Sequence, residues 1–325
     1  MRNNKTINFV GKLKVFLCIS LAFILVGVVM NVIFGAKLDI NFSGGTTISY
    51  SYKDDIDKDA AKKAIEKAID YDVSVSGSQN YTTGASTIVV SVLGNKALTT
   101  EEIGKITTAL TDTFKDNAVT KLEQNSVDPT VGSSFFAKSI YAIVLACLLV
   151  AIYVGFRFRK IGGVSAALTA IVALIHDVVI AYFAYIIFGF TIGGNFIAVM
   201  LTILGYSLND TIVIYDRVRE NELVYDGKKP IREIVNISVT QSFRRTLITS
   251  ITTFVAISCV TVVALVFGLD SILSFSVPMS IGVVAGSYSS ICIAGPLYVL
   301  WRERREKSGE KKANTKKPAY VNRMK

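Results

Sequence analysis

One carboxylate in this chain stands where a carboxylate is costly. Asp210 lies in Met200-Leu-Thr-Ile-Leu-Gly-Tyr-Ser-Leu-Asn-Asp-Thr-Ile-Val-Ile-Tyr215, an otherwise apolar run long enough to span a bilayer. A charge at that depth costs at least about 2.5–3.5 kcal/mol on insertion scales, so such a residue faces a protein interior, a water-filled path or a partner. The chemistry that fits is uptake and release of a proton, with Asn209 beside it on the same segment. His176 and Asp177 form a second intramembrane pair. His176 is the only histidine, and an ordinary pKa near 6.5 suits it to proton transfer. A structural hydrogen bond to a neighbouring helix is the other reading for both, with a serine of the last apolar segment as a candidate partner for Asp177.

Those residues need long apolar elements to hold them. The chain has 325 residues, 51% of them hydrophobic, with a net charge of +10 and a mean hydropathy of +0.47. That is too apolar for one soluble core. Runs of about 20 apolar residues occur at Val15–Phe34, Ser139–Phe156, Val164–Phe188, Ile192–Ile214, Leu247–Phe267 and Val277–Leu300. In the third, Ala166, Ala170, Ala173, Asp177, Ala181 and Ala184 recur every three or four residues, a small-residue stripe that turns Asp177 toward another helix. Neighbouring helical residues point about 100° apart, so His176 and Asp177 are expected on different faces. The sixth carries Gly282, Gly286, Ser290 and Ala294 at four-residue spacing, with Pro278 expected in its first turn and Pro296 expected to kink its end. Asp210 lies roughly 8 Å from the end of its span by helical rise. Arg244 and Arg245 precede the next span at a similar level, either as interfacial anchors or, for Arg245, as an ion-pair partner for Asp210.

Basic residues fix the orientation. Arg2, Lys5, Lys12 and Lys14, then Arg157, Arg159 and Lys160, then seven basics from Arg217 to Arg245, and ten in the tail all fall on one side of a six-span arrangement. Short flanks rich in Lys and Arg resist translocation, which puts both termini in the cytoplasm. The tail supplies most of the net charge and is expected to be disordered and to lie against anionic lipid. Cys18, Cys147, Cys259 and Cys292 fall inside the spans without paired spacing and read as packing residues. The expected division is 1–14 cytoplasmic N-terminus, 15–35 first transmembrane helix, 36–137 extracytoplasmic domain, 138–300 helices two to six, and 301–325 basic cytoplasmic tail.

Residues 36–137 are acidic, with ten Lys against fourteen Asp and Glu from Lys37 to Asp128. Alternation predicts strands over Thr46–Tyr52, Asp72–Ser76, Thr87–Leu93 and Val119–Val127. A helix over Lys58–Ile69 is capped by Asp57, and Thr99-Thr-Glu-Glu102 is a capping box opening a second. The order β-α-β-β-α-β is the ferredoxin-like one. The expected fold class is therefore an α-helical polytopic membrane protein of six transmembrane helices with an extracytoplasmic α+β, ferredoxin-like domain between helices 1 and 2. No nucleophile–base pair or metal-ligand cluster stands out, so an enzyme is not expected and no cofactor is called for.

Four segments resemble the SecF family of the bacterial protein-export machinery, related to the resistance-nodulation-division superfamily. They are Leu38-Asp-Ile-Asn-Phe-Ser-Gly-Gly-Thr46, Ile175-His-Asp-Val178, Ile203-Leu-Gly-Tyr-Ser-Leu-Asn-Asp-Thr-Ile-Val-Ile-Tyr-Asp-Arg-Val-Arg-Glu220 and Arg245-Thr-Leu-Ile-Thr-Ser250. The resemblance implies pairing with SecD beside the SecYEG channel in the bacterial cytoplasmic membrane. It further implies use of the proton-motive force on a translocating preprotein after the step driven by SecA. Asp210 and Arg245 match family positions associated with the proton path, and Asp177, His176 and Asn209 join them as candidates. Half of a proton-driven small-molecule or lipid transporter is the alternative reading.

Overall fold

A computed structural model describes residues 6–53, 56–71, 73–79, 86–93, 98–225 and 227–315. Helix α1 (Leu13–Phe34) is apolar along its length and stops at Gly35, whose φ of 66° admits the chain reversal. The Asn236 side-chain oxygen accepts from the N–H groups of Phe9 and Val10, at 3.0 Å each, and so anchors the chain just ahead of α1. A single turn, α2 (Ile40–Ser43), is capped by Asp39.

The sheet-bearing unit follows as β1 (Gly45–Tyr52), α3 (Lys58–Ile69), β2 (Val73–Gln79), β3 (Ser86–Leu93), α4 (Thr100–Thr113) and β4 (Thr120–Val127). The strands form one sheet in the order β2-β3-β1-β4 with every neighbour antiparallel. Alternate residues of β1, Ile48 and Tyr50 among them, face Ile65 of α3 and Ile106 and Leu110 of α4 in one core. The capping box at Thr99 is complete, and its two bonds to Thr99 hold the Glu102 carboxyl below the usual carboxylate range. Asp72, expected to open the second strand, lies outside the described residues.

Among the described residues, six helices are long and apolar enough to cross a membrane. They are α1, α5 (Pro129–Arg157), α6 (Gly163–Ile187), α7 (Gly194–Tyr225), α8 (Ile231–Phe267) and the stretch formed by α9 (Asp270–Ser289), a π-helical segment Ser290–Ala294 and α10 (Gly295–Thr315). Helix α5 begins with Pro129 behind the Asp128 cap, ten residues before the apolar run. Helices α7 and α8 run well past their apolar cores, tied by Asn221 to Ser238 (2.8 Å) and Arg217 to Gln241 (2.7 Å). Two expectations change in the last span. It starts at Asp270, so Pro278 sits inside the helix rather than in its first turn. The irregularity at Pro296 takes the form of the π segment just before it, where a residue without an N–H interrupts the regular ladder. The basic tail, expected to be disordered, continues as helix to Thr315.

The sheet unit is fastened to the bundle at its base. The Ile192 N–H donates to Lys37 O (2.7 Å) and the Asp39 N–H to Ile192 O (3.0 Å), a short parallel bridge between the α6–α7 loop and the strand entry. A Cβ at Gly132 of α5 would lie 2.7 Å from the Gly44 nitrogen, so the entry and exit of the sheet unit touch backbone to backbone.

Candidate functional site

The alanine stripe of α6 is buried along its length, and Asp177 within it is 0% exposed. Small side chains let α7 and α9 approach closely enough for serine hydroxyls to reach the carboxylate. Asp177 Oδ2 accepts from Ser207 Oγ of α7 (2.6 Å) and from Ser289 Oγ of α9 (2.7 Å). Its Oδ1 lies 3.0 Å from His176 Nδ1. The two lie on different faces of α6, His176 partly exposed and Asp177 buried, and still touch. Nδ1 is bonded to the ring carbon nearest the backbone, which lets it close the angle between the two faces. The π segment adds a further contact between the same helices: Ser290 Oγ donates to Ser207 O (3.1 Å) and is 2.9 Å from Thr211 Oγ1.

Asp210 is one turn along α7 from Ser207 and 3% exposed. Its carboxylate interacts with the Ser250 hydroxyl of α8 and feels the charge of Arg245, but no ion pair joins it to Arg245 among the described residues. The contacts between α7 and α8 explain this. Arg217 is level with Gln241, and seven residues back along α7, about 10 Å, brings Asp210 level with Ile248, between Arg245 and Ser250. The arginine lies about one turn nearer the basic end. Asp210 Oδ2 is buried without a hydrogen-bond partner among the described residues, as is Thr246 Oγ1 one turn before Ser250. The Ser250 hydroxyl is in turn bonded to Ser287 of α9.

Next to Asp210 a polar crevice of about 510 Å³ opens between α7 and α8, lined by Asn209, Asp216, Arg217, Glu220, Gln241 and Arg245 among others. Asn209 and Arg245 are both exposed in it. Its mouth is braced by ion pairs from Asp216 to Arg157 of α5 (3.0 Å) and to Arg219 (2.7 Å). The structure thus collects His176 with Asp177, and Asn209 and Arg245 around Asp210. It leaves the two carboxylates in separate sets, Asp177 with Ser207 and Ser289 and Asp210 near Ser250. Ser207, Ser250, Ser287 and Thr246 were not singled out in the sequence. The one available signal was the small-residue periodicity, which marks seams without saying which hydroxyl meets which acid.

Comparison with known proteins matches this arrangement. Residues 105–304 fit the family described as protein export membrane protein SecD/SecF, C-terminal. The chain is 32% identical over 87% of its length to the protein translocase subunit SecF of Sebaldella termitidis, covering 89% of that protein. It is 32% identical over 91% of its length to the protein translocase subunit SecDF of Bacillus subtilis, but covers 38% of that longer chain. The crystal structure of a SecDF from Thermus, described as a translocon-associated membrane protein, matches with a TM-score of 0.77 at 26% identity, over 94% of this chain and 40% of that one. The chain thus spans about two fifths of the SecDF proteins it matches. Six membrane-length helices in this arrangement make it a multi-pass membrane protein, and the chain belongs to the SecD/SecF family of protein-export membrane proteins.

Proposed function

We propose that this chain is the SecF-type subunit of a protein translocase and works in the late stages of protein export across the bacterial cytoplasmic membrane. Its partner is a SecD-like chain, which supplies the part that the fused SecDF relatives carry beyond the stretch matched here. The pair acts beside a SecYEG channel on a preprotein delivered by SecA. Both termini and the basic helix ends face the cytoplasm, by the distribution of Lys and Arg. The sheet unit is an extracytoplasmic ferredoxin-like domain, a reading supported by its β-α-β-β-α-β order and antiparallel β2-β3-β1-β4 sheet.

The observation that carries the mechanism is the unpartnered Oδ2 of a buried Asp210 beside a polar crevice. Water in the crevice delivers a proton past Asn209, and Arg245 holds the charged form of Asp210 within its field. Protonation removes that attraction, and the changed packing of α7 against α8 biases the bundle between two arrangements. The Ile192 bridge to Lys37 and Asp39 carries the shift to the base of the sheet domain. His176 and Asp177 form a second station on the same path. No cofactor takes part.

Asp210→Asn tests this. Proton-driven release of a preprotein from membrane vesicles is expected to stop, while the amount of inserted chain and its co-purification with the SecD-like partner stay unchanged. Undiminished export by that variant refutes the role given to Asp210.

A further inference from the structure

The basic end of the bundle holds a second recess, separate from the crevice at Asp210. The turn between α5 and α6 supplies Lys160, Ile161 and Gly162, the first turn of α6 supplies Ser165, and α10 supplies Arg302 and Arg305, around a cavity of about 230 Å³. Ser165 is 2% exposed, lines this cavity, and its hydroxyl has no hydrogen-bond partner among the described residues. Helix α6 starts behind Gly162 with no side-chain cap on its first turn, so the partial positive charge of a 25-residue helix terminus adds to the site. Lys160 and Arg305 are exposed, and neither forms an ion pair among the described residues. Arg302 is held in place by Glu222 and by Tyr298 Oη (2.9 Å). Tyr298 also donates to Ile161 O (2.5 Å), which fixes the turn. Three cations, an unpartnered serine hydroxyl open to the cavity and a helix N-terminus, with one carboxylate among them, suit a tetrahedral oxyanion.

The surroundings decide what carries that oxyanion. Phe156, four residues before Lys160, and Trp301, next to Arg302 in sequence, are exposed, as aromatic side chains are at the level of lipid headgroups. Val164, Leu168, Val172 and Ile175 are exposed at spacings of three and four, an apolar stripe that starts at the recess and runs along α6 into the span. We infer that this recess binds the phosphate of an anionic phospholipid, with one acyl chain lying along the stripe on α6. The site fixes the α5–α6 turn against α10, and it is independent of the proton path.

The test is lipid retention by the full chain, purified with its native partner, exchanged into a neutral detergent and read by native mass spectrometry. Phosphatidylglycerol is expected to stay bound where phosphatidylcholine does not. Lys160→Ala with Arg305→Ala is expected to weaken phosphatidylglycerol retention about thirtyfold, the effect of removing two basic side chains from an anionic headgroup. Ser165→Ala should weaken it several-fold, and Lys311→Ala with Lys312→Ala, beyond the recess, should leave it unchanged. Equal retention of the two lipids, or of phosphatidylglycerol by parent and recess variant, overturns the inference. So does an equal loss from the Lys311 and Lys312 substitutions, which means diffuse attraction to the tail. Displacement by millimolar inorganic phosphate as readily as by short-chain phosphatidylglycerol also overturns it, since the site is then one for a soluble anion.

Discussion

Substituting Gly286 with alanine probes the seam that builds the Asp177 site. A Cβ there would lie 2.9 Å from Ser207 Cβ and 3.4 Å from Ser207 Cα. Carbon atoms pack at about 3.5–4.0 Å, so α7 and α9 must separate by about 0.6–1.1 Å. No rotamer of Ser207 relieves this, because the obstruction is its Cβ and backbone. The Ser290 Oγ to Ser207 O bond, 3.1 Å long, runs from α7 to the π segment that continues α9 and is stretched out of hydrogen-bonding range by that opening. Overpacking of this kind costs about 1–3 kcal/mol, and an interhelical hydrogen bond in a membrane contributes about 0.6–1.7 kcal/mol. Gly286→Ala should therefore destabilise the bundle by about 2–4 kcal/mol. Ser207→Gly removes the obstructing Cβ along with one donor to Asp177. The double variant is expected to be more stable than the sum of the two single changes by at least ~1 kcal/mol. Reversible unfolding in bicelles, measured for the four proteins of the cycle, gives the coupling directly. Additivity within about 0.5 kcal/mol means that Gly286 and Ser207 are not in contact, and the geometry of the Asp177 site fails with it.

Three further outcomes are expected. Asp177→Asn can keep both serine donors on its carbonyl oxygen while its amide donates to an unprotonated His176 Nδ1, so it should fold with nearly parental thermal stability. If export then survives, Asp177 is structural, and if export is lost from a stable protein, Asp177 handles protons. Gly132→Ala places a Cβ against the Gly44 nitrogen and the Phe42 carbonyl, at 2.7 and 3.2 Å. Backbone cannot yield there, so faster hydrogen exchange at Phe42–Gly45 and around Asp128 is expected while the core of the sheet keeps its protection. Acidification should loosen the starts of α4 and α5. Hydrogen bonds from Thr99 hold Glu102, and those from Thr130 hold Asp128, below the usual carboxylate range. A depressed folded pKa gives stability that is present above the unfolded value and lost as pH falls through the folded one, so protection at both caps should fall below about pH 4. Unchanged protection there would show that the caps contribute nothing.

What the sequence made legible follows from where local rules decide. Lys58–Ile69 is a helix because Asp57 caps it and Ala61, Ile65 and Ile69 share a face, all read within the twelve helical residues and the cap before them. The apolar cores of the spans were equally plain. Their ends were not, because the continuations of α7 and α8 carry charge and read as loop. They stay helical because Arg217, Asn221, Ser238 and Gln241 bond across the pair. The level of Arg245 relative to Asp210 turns on the same feature. Its depth was counted from the edge of an apolar window, while the level that matters is set by the packing of two long antiparallel helices. The alanine stripe showed that Asp177 faces a seam, and a serine of the last span was legible as a partner type. Ser207 and Ser250 were not legible, since a serine in a helix looks the same whether it meets lipid or an acid.

The two carboxylates differ in a way that composition does not reveal. Asp177 has both oxygens engaged, by two serines and a histidine from three directions. A carboxylate so surrounded gains little from any rearrangement, since moving α7 or α9 breaks bonds without forming better ones. Asp210 has an orphaned buried oxygen and feels the charge of a cation about one turn out of level. Leaving a buried polar atom unpaired is unfavourable, so every arrangement that supplies Oδ2 with a proton, a water or the Arg245 guanidinium lowers the free energy of the site. The groups that can supply it lie in the crevice between α7 and α8, whose mouth is braced by half-buried ion pairs of Asp216 that share one carboxylate between Arg157 and Arg219. The part of the bundle free to move is therefore the α7–α8 seam around Asp210. The α6–α7–α9 seam around Asp177 is the fixed frame against which it moves.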